Sequence, residues 1–414
     1  MEVNLTEKDY CKFQLDCVLP SNKISDKKEV VLKQFANAPC PGFRKGKASR
    51  EAILIHYKSQ VEESLKRALA EDAFHDAMFE KELKPIGSPN FLSLFIKSGK
   101  FYCSFVVDVR PSFDLVDIRN ISVPKPAEMQ VSDVLNEKLE ELRNRFGDTL
   151  FLDETHLVEK GDTVVVAYES KLDGVKNDSL SSESDVMEIG VSGDKEFTDN
   201  LVGMKVGETK EFTYSPKTGS PSIKDKEFTV TATVKNATRT TPCALDDELA
   251  KKLGKSNLNE LTEHVNKIAV GIVANKQRND MLQNISALLV ESHDFRVQDW
   301  LVRKEAAYLA KSAKLDWASL AQEDRVFWDS IGLKNIKLSF ILDKIRDVEP
   351  EAQLTDEEVL SEVKRVLGSQ LRDGSNEALA EYLANMGHYS NVLFAKIKDD
   401  YALNFVLKNV KVVE

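Results

Sequence analysis

Cysteine is scarce in this chain of 414 residues. The five present (Cys11, Cys17, Cys40, Cys103 and Cys243) are odd in number, widely scattered and never spaced C-x-x-C. That pattern supports neither a disulfide framework nor a zinc site, and the cysteines read as reduced thiols. The six histidines show no H-x-x-x-H or H-E-x-x-H spacing. A metal needs several ligands converging at one point, so neither a metal nor a cofactor is expected. No stretch of about 18 apolar residues occurs, which excludes a conventional membrane-spanning helix. The opening MEVNLTEKDYCKFQLD is polar and acidic without an apolar core, so a secretory leader is not expected and the cytoplasm is the default location. Positive charge is not in excess either: 57 Lys and Arg stand against 68 Asp and Glu, a formal net charge of -11. General nucleic-acid binding needs a cationic surface, so any RNA contact must be local. The glycine patterns of phosphate cradles, dinucleotide sites and hydrolase elbows are also missing.

The length calls for several domains, each able to bury its own core. Residues 1–112 alternate strand and helix signals. Cys11, Phe13, Leu15 and Cys17 recur with period two as in a half-buried strand. A helix is predicted over 26–38, with Val30, Val31 and Phe35 on one side, and a second, capped by Ser49, through Ile53, Tyr57, Val61 and Leu65 to about Leu83. Phe91–Ile96 and Phe101–Val109 form a hairpin around Ser98-Gly-Lys100. Residues 113–149, with Val123-Pro-Lys-Pro126 and an acidic helix over 132–146, read as a connecting arm. Residues 150–241 are strand-rich, with Gly, Ser, Asp and Pro clusters between the strands. Residues 242–414 are helical, with a helix over 246–253 stopped by Gly254, a long amphipathic helix over 258–290, and Thr355-x-x-Glu358 in capping-box form. The fold class is α+β multidomain.

The segment that stands out is Gly42-Phe-Arg-Lys-Gly-Lys-Ala-Ser-Arg50: four cations in nine residues, with no acid, inside an acidic chain. Two glycines let the backbone turn tightly and approach a partner. Phe43 offers an aromatic anchor, while Arg44 and Lys45 can engage phosphates or carboxylates. The bland alternative is a solvated turn whose Phe43 folds back between the helices.

PGFRKGK, set between two helices and followed by a long helix, resembles the ribosome-binding signature of the bacterial trigger factor family. The resemblance runs along the whole chain. Val158-Glu-Lys-Gly-Asp-Thr-Val-Val-Val-Ala-Tyr168 is similar to the opening strand of the family's FKBP-like domain, and Leu201-Val-Gly-Met-Lys-Val-Gly-Glu208 to its G-x-x-x-G-E turn. Phe295-Arg-Val-Gln-Asp-Trp-Leu-Val-Arg-Lys-Glu305 is similar to the family's F-x-V-P-x-x-L-I-x-x-E helix entry near the start of its C-terminal domain. The resemblance implies an N-terminal α+β ribosome-binding domain, an FKBP-like β-rich middle domain and an all-helical C-terminal domain with arms. It implies an ATP-independent chaperone that docks through Gly42, Phe43, Arg44, Lys45 and Gly46 on the large ribosomal subunit near the exit tunnel. Its clients would be nascent and unfolded polypeptides, any RNA contact would be confined to the basic loop, and self-association to a homodimer would occur off the ribosome.

The middle domain departs from the family. Prolyl isomerisation crosses an amide barrier of about 18–20 kcal/mol, and a site of this type lowers it with an aromatic-walled pocket rather than a nucleophile. Tyr168 and Phe197 stand where the resemblance places pocket aromatics, with Phe228 as a third candidate. Asn177-Asp178 stands where the resemblance expects a phenylalanine-acid pair, Asp185 where a wall aromatic is usual and Lys195-Glu196 where an apolar Ile-Pro step is, and 217–224 offers no clear counterpart to the flap tyrosine. Charges in an apolar wall would cost several kcal/mol, so isomerase activity is expected to be weak or absent. A different register would let Phe212 or Tyr214 restore the wall, and prolyl isomerase as the principal activity is the alternative. Trp300, Trp317, Phe327, Trp328, Phe394 and Phe405 are core residues or client contacts.

Overall fold

A computed structural model of the chain describes residues 1–44, 46–190, 195–368, 375–386 and 388–413. It divides into two compact units, one comprising Met1–Asp114 with His293–Leu301, the other Leu115–Ser292 with Val302–Glu414. The mixture of helices and strands across them is the α+β multidomain class expected from sequence.

The first unit is built on a four-stranded antiparallel sheet in the order β1 (Glu2–Asp9), β2 (Lys12–Leu19), β4 (Lys100–Val109), β3 (Pro85–Lys97). In β4 every second residue, from Phe101 to Val109, is buried, which is the period of a strand with one wet face. Helices α1 (Ser21–Gln34), α2 (Arg50–His56) and α3 (Lys58–Glu80) belong to the same unit, and the core joins Leu15, Cys17, Phe101 and Phe105 to Val61, Leu65 and Leu69 of α3. Cys17 and Cys103 face each other across β2 and β4 as free thiols, each pushed up to about 12 by burial.

Sequence expectations need correction in three places. The first helix starts at Ser21 rather than Asp26, and Val30 points to solvent while Val31 and Leu32 enter the core. The helix capped by Ser49 is short: Tyr57 leaves helical geometry (φ -114°, ψ 26°) and splits it into α2 and α3. Strand β1 carried no burial alternation and was invisible to periodicity.

In the second unit, β5 (Ser122–Pro124) leads to α4 (Val131–Arg145), then to a six-stranded sheet. Its path is β10 (Thr209–Tyr214), β11 (Phe228–Thr241), β7 (Thr163–Leu172), β8 (Val175–Lys176), with β6 (Asp148–Phe151) paired to β11 and β9 (Ser182–Glu188) to β7. The short α5 (Lys195–Asp199) packs Phe197 into the core of Val164, Val166, Leu201, Phe228 and Val230. The helical part follows: α6 (Asp247–Lys252), α7 (Leu258–Ser292), α8 (Asp299–Ser312), α9 (Gln322–Val348), α10 (Asp356–Leu367), α11 (Asn376–Met386) and α12 (His388–Asn409), before β12 (Lys411–Val413) pairs in parallel with β5. Thr355 and Glu358 make the reciprocal capping box expected at α10. Asp246 caps α6, and Gly254 turns the chain beyond it at φ 73°. Among the described residues no helix is long and apolar enough to cross a membrane.

Candidate functional site

The basic loop leaves α1 through Phe35, Ala36, Asn37, Ala38 and Pro39. Cys40 is buried beneath it, and its carbonyl accepts the Phe43 N–H at 3.1 Å. Gly42 has φ 81° and Gly46 has φ 78°, the left-handed region that costs an L side chain roughly 1–2 kcal/mol. A Cβ on Gly46 would also lie 3.1 Å from the Asn37 Oδ1. The Arg44 carbonyl accepts the Lys47 N–H at 2.9 Å, closing the turn, and the Ser49 hydroxyl caps α2 by accepting the Ala52 N–H at 3.2 Å.

This geometry holds Phe43 outward. It is 44% exposed, whereas the bland reading required it to fold back between the helices. Arg44 and Lys47 are exposed beside it, while Arg50 is paired with Glu29 of α1. The loop base is pinned by Tyr57, whose ring lies 5.7 Å from that of Phe35 and whose hydroxyl donates to the Pro39 carbonyl. Lys45 lies outside the described residues.

A second cluster forms in the β-rich part of the other unit. Phe197 is the hub, with edge-on contacts to Tyr168 at 5.1 Å, Phe212 at 5.5 Å and Tyr214 at 5.2 Å between ring centres. Such edge-to-face geometry places positive ring edges on negative faces. The structure thus brings Tyr168 and Phe197 together but buries Phe228 completely, leaving it no surface to offer a ligand. Phe212 and Tyr214 stand in its place because β10 pairs with β11 in the register Phe212 to Val230 and Tyr214 to Phe228.

The charged replacements sit at the edge of this cluster. Asp185 accepts the Tyr168 hydroxyl hydrogen at 3.1 Å. Burial and the nearby Asp185 charge push the Tyr168 phenol up to about 12, so it remains a protonated donor at neutral pH. Lys195 and Glu196 are exposed on the first turn of α5, and Asn177 accepts the Leu180 N–H at 3.1 Å while Asp178 is exposed. None of these four charged side chains is sunk in the core.

The aromatic candidates of the helical part divide by burial. Phe405 is buried and Phe394 packs against the core of α10 and α12, Trp317, Phe327 and Trp328 are half-buried, and Trp300 is 41% exposed. Among the described residues no group of three or more His, Cys, Asp or Glu could hold a metal ion.

Residues 1–142 match the family described as bacterial trigger factor protein. The chain is 26% identical over 410 residues to the trigger factor of Aquifex aeolicus (strain VF5), covering 96% of this chain and 84% of that one. It is 26% identical over 439 residues to the trigger factor of Geobacter sp. (strain M21), covering 100% and 98% respectively. A solved trigger factor chaperone chain is 21% identical, with 99% of both chains covered and a TM-score of 0.43. The match to the trigger factor family model thus includes the basic loop, and the similarity to trigger factors extends from one end of the chain to the other.

Proposed function

We propose that the protein is an ATP-independent cytoplasmic chaperone that docks on the large ribosomal subunit near the nascent-chain exit and shields emerging polypeptides. The observation that carries this reading is the Gly42–Lys47 turn, which exposes Phe43 and Arg44 together from a pinned base in an otherwise acidic chain. Arg44 and Lys45 pair with phosphates or carboxylates of the ribosome, and Phe43 contributes the apolar contact. Chaperoning is then mass action: covering apolar segments lowers the free concentration of aggregation-prone chains while release leaves time to fold. Cosedimentation with empty ribosomes tests it. Wild type is expected to pellet, and the triple variant Phe43→Ala, Arg44→Ala, Lys45→Ala, with unchanged circular dichroism, to remain in solution. Equal pelleting of the two would sink the loop as the docking site.

A second reading, peptidyl-prolyl isomerase activity, is favoured by one observation: three rings converge on Phe197 although several expected pocket residues are charged. A desolvated aromatic pocket favours the twisted amide. Activity in the resting protein is expected to be weak, and a proline-limited refolding assay at substoichiometric protein measures it.

A further inference from the structure

The segment 215–227 springs from Tyr214, one of the four rings, and returns to the sheet at Phe228. Its neck is closed by the Asp225 N–H donating to the Pro216 carbonyl at 2.7 Å, with Pro216 buried and Asp225 in the left-handed region at φ 56°. Ile223 folds down onto the core cluster that contains Tyr168, Phe197, Phe212 and Tyr214. The neighbouring residue, Ser222, reaches the other way. Its N–H donates to the Asp324 Oδ1 at 3.0 Å and its hydroxyl donates to the Asp324 Oδ2.

Asp324 lies in the first turn of α9, far along the chain in the helical part, and is 5% exposed. A buried carboxylate is costly unless its lone pairs are satisfied, and here both oxygens are taken up by one residue of the loop. Beside it the Lys226 ammonium meets Glu323 at 2.6 Å, a partly exposed pair that adds little energy but fixes the same approach. The loop is therefore fastened at adjacent residues to two elements, the ring cluster through Ile223 and the start of α9 through Ser222.

The geometry points to Asp324 as a latch: a positioning residue that holds the 215–227 loop down beside the Tyr168, Phe197, Phe212 and Tyr214 rings. Entry of an apolar, proline-containing peptide to those rings then requires loop release. This rests on reading the rings as a peptide pocket. It also gives weak resting isomerase activity a cause other than pocket decay: the pocket is closed by a segment that the helical part controls. A client chain that displaces the Ser222 contact at the start of α9 would open the pocket beside it.

Hydrogen–deuterium exchange of residues 216–226 in the full chain, read together with binding of a fluorophore-labelled proline-containing peptide, tests the latch. Asp324→Ala, which removes both hydrogen bonds, is expected to speed exchange of the loop by about tenfold or more and to tighten peptide binding, while Ser222→Ala, which removes the hydroxyl bond and keeps the backbone one, is expected to move both in the same direction by less. Asp324→Asn, which keeps an acceptor oxygen, is expected to fall between Asp324→Ala and wild type. Adding Phe197→Ala to Asp324→Ala should abolish the gain in binding. Loop exchange already fast in wild type, or a freed loop with peptide affinity unchanged, overturns the latch. If affinity is unchanged but Phe197→Ala still removes binding, the latch falls and the pocket stands. If no variant binds peptide, both fall. Ribosome cosedimentation of Asp324→Ala should match wild type in every case.

Discussion

Tyr57 donates its hydroxyl hydrogen to the carbonyl of Pro39, 18 residues earlier in the chain, across the foot of the loop that presents Phe43. The residue that interrupts the Ser49-capped helix is thus the one that anchors the loop.

Replacing it tests whether the anchor matters. Tyr57→Phe keeps the ring against Phe35 and removes the donor, leaving the Pro39 carbonyl to water. We expect a stability loss of about 0.5–1.5 kcal/mol in urea denaturation and faster tryptic cleavage after Arg44 and Lys47. Unchanged cleavage would mean that the two turn hydrogen bonds hold the loop unaided.

Docking through exposed cations should weaken as salt rises, because exposed charges are screened beyond a Debye length of about 8–10 Å. Ribosome binding measured from low to high salt should fall steeply for wild type and less steeply for Arg44→Ala. Phe43→Ala should lower affinity at every salt concentration without changing the slope. Salt-independent binding would assign docking to Phe43 and shape alone.

Asp162 is buried under β7, where Arg239 of β11 meets it with two hydrogen bonds of 2.7 and 2.9 Å. Burial pushes this carboxyl up, but the Arg239 guanidinium and the Glu159 N–H outweigh it, holding Asp162 below the usual carboxylate range. A depressed folded-state pKa contributes stability that is present above the unfolded value of about 4 and is lost as pH falls through the folded one. Urea denaturation from pH 7 to pH 3 should therefore show a loss in wild type that is smaller in Asp162→Asn. Arg239→Ala, which strands a buried charge, should cost about 2–4 kcal/mol at pH 7. A cost under about 1 kcal/mol would contradict this account.

Gly332 lies where α9 crosses α8. A Cβ there would meet the Val302 carbonyl oxygen at 2.8 Å and the Ala306 nitrogen at 3.1 Å, both backbone atoms with little freedom to yield. Gly332→Ala should force the two helices apart and cost about 1–3 kcal/mol, visible as a lowered thermal midpoint. The helix-propensity gain from Ala, at most about 1 kcal/mol, opposes it, so a stabilised variant would show that the crossing has slack.

The contrast between these sites explains what was legible in the amino-acid sequence. The basic loop was readable because its glycines, cations and capping Ser49 lie within nine residues and act locally. The strand β4 and the capping box at Thr355 were readable for the same reason. The break at Tyr57 was not, since it depends on Pro39 and Phe35 reached through the fold. Phe212 and Tyr214 became ring partners only through the pairing of β10 with β11, and Phe228, equally aromatic and directly opposite Tyr214, lies on the inner strand and is buried completely. The Asp324 contact joins positions 102 residues apart, and no spacing rule reaches that far.

The segment His293–Leu301 has a bearing on how the chain acquires its structure. It returns to the first unit, where Phe295 stacks on Phe113 at 4.1 Å and the Gln298 side chain donates to the Val109 carbonyl at 2.9 Å. The first unit is therefore discontinuous in sequence. During synthesis, which runs from the N-terminus, its sheet and helices exist long before the piece that completes them, and nearly 180 residues of the other unit must be made in between. The final closure of the N-terminal unit is a long-loop event, slow by its contact order, and the opening quarter of the chain spends part of its own birth unfinished.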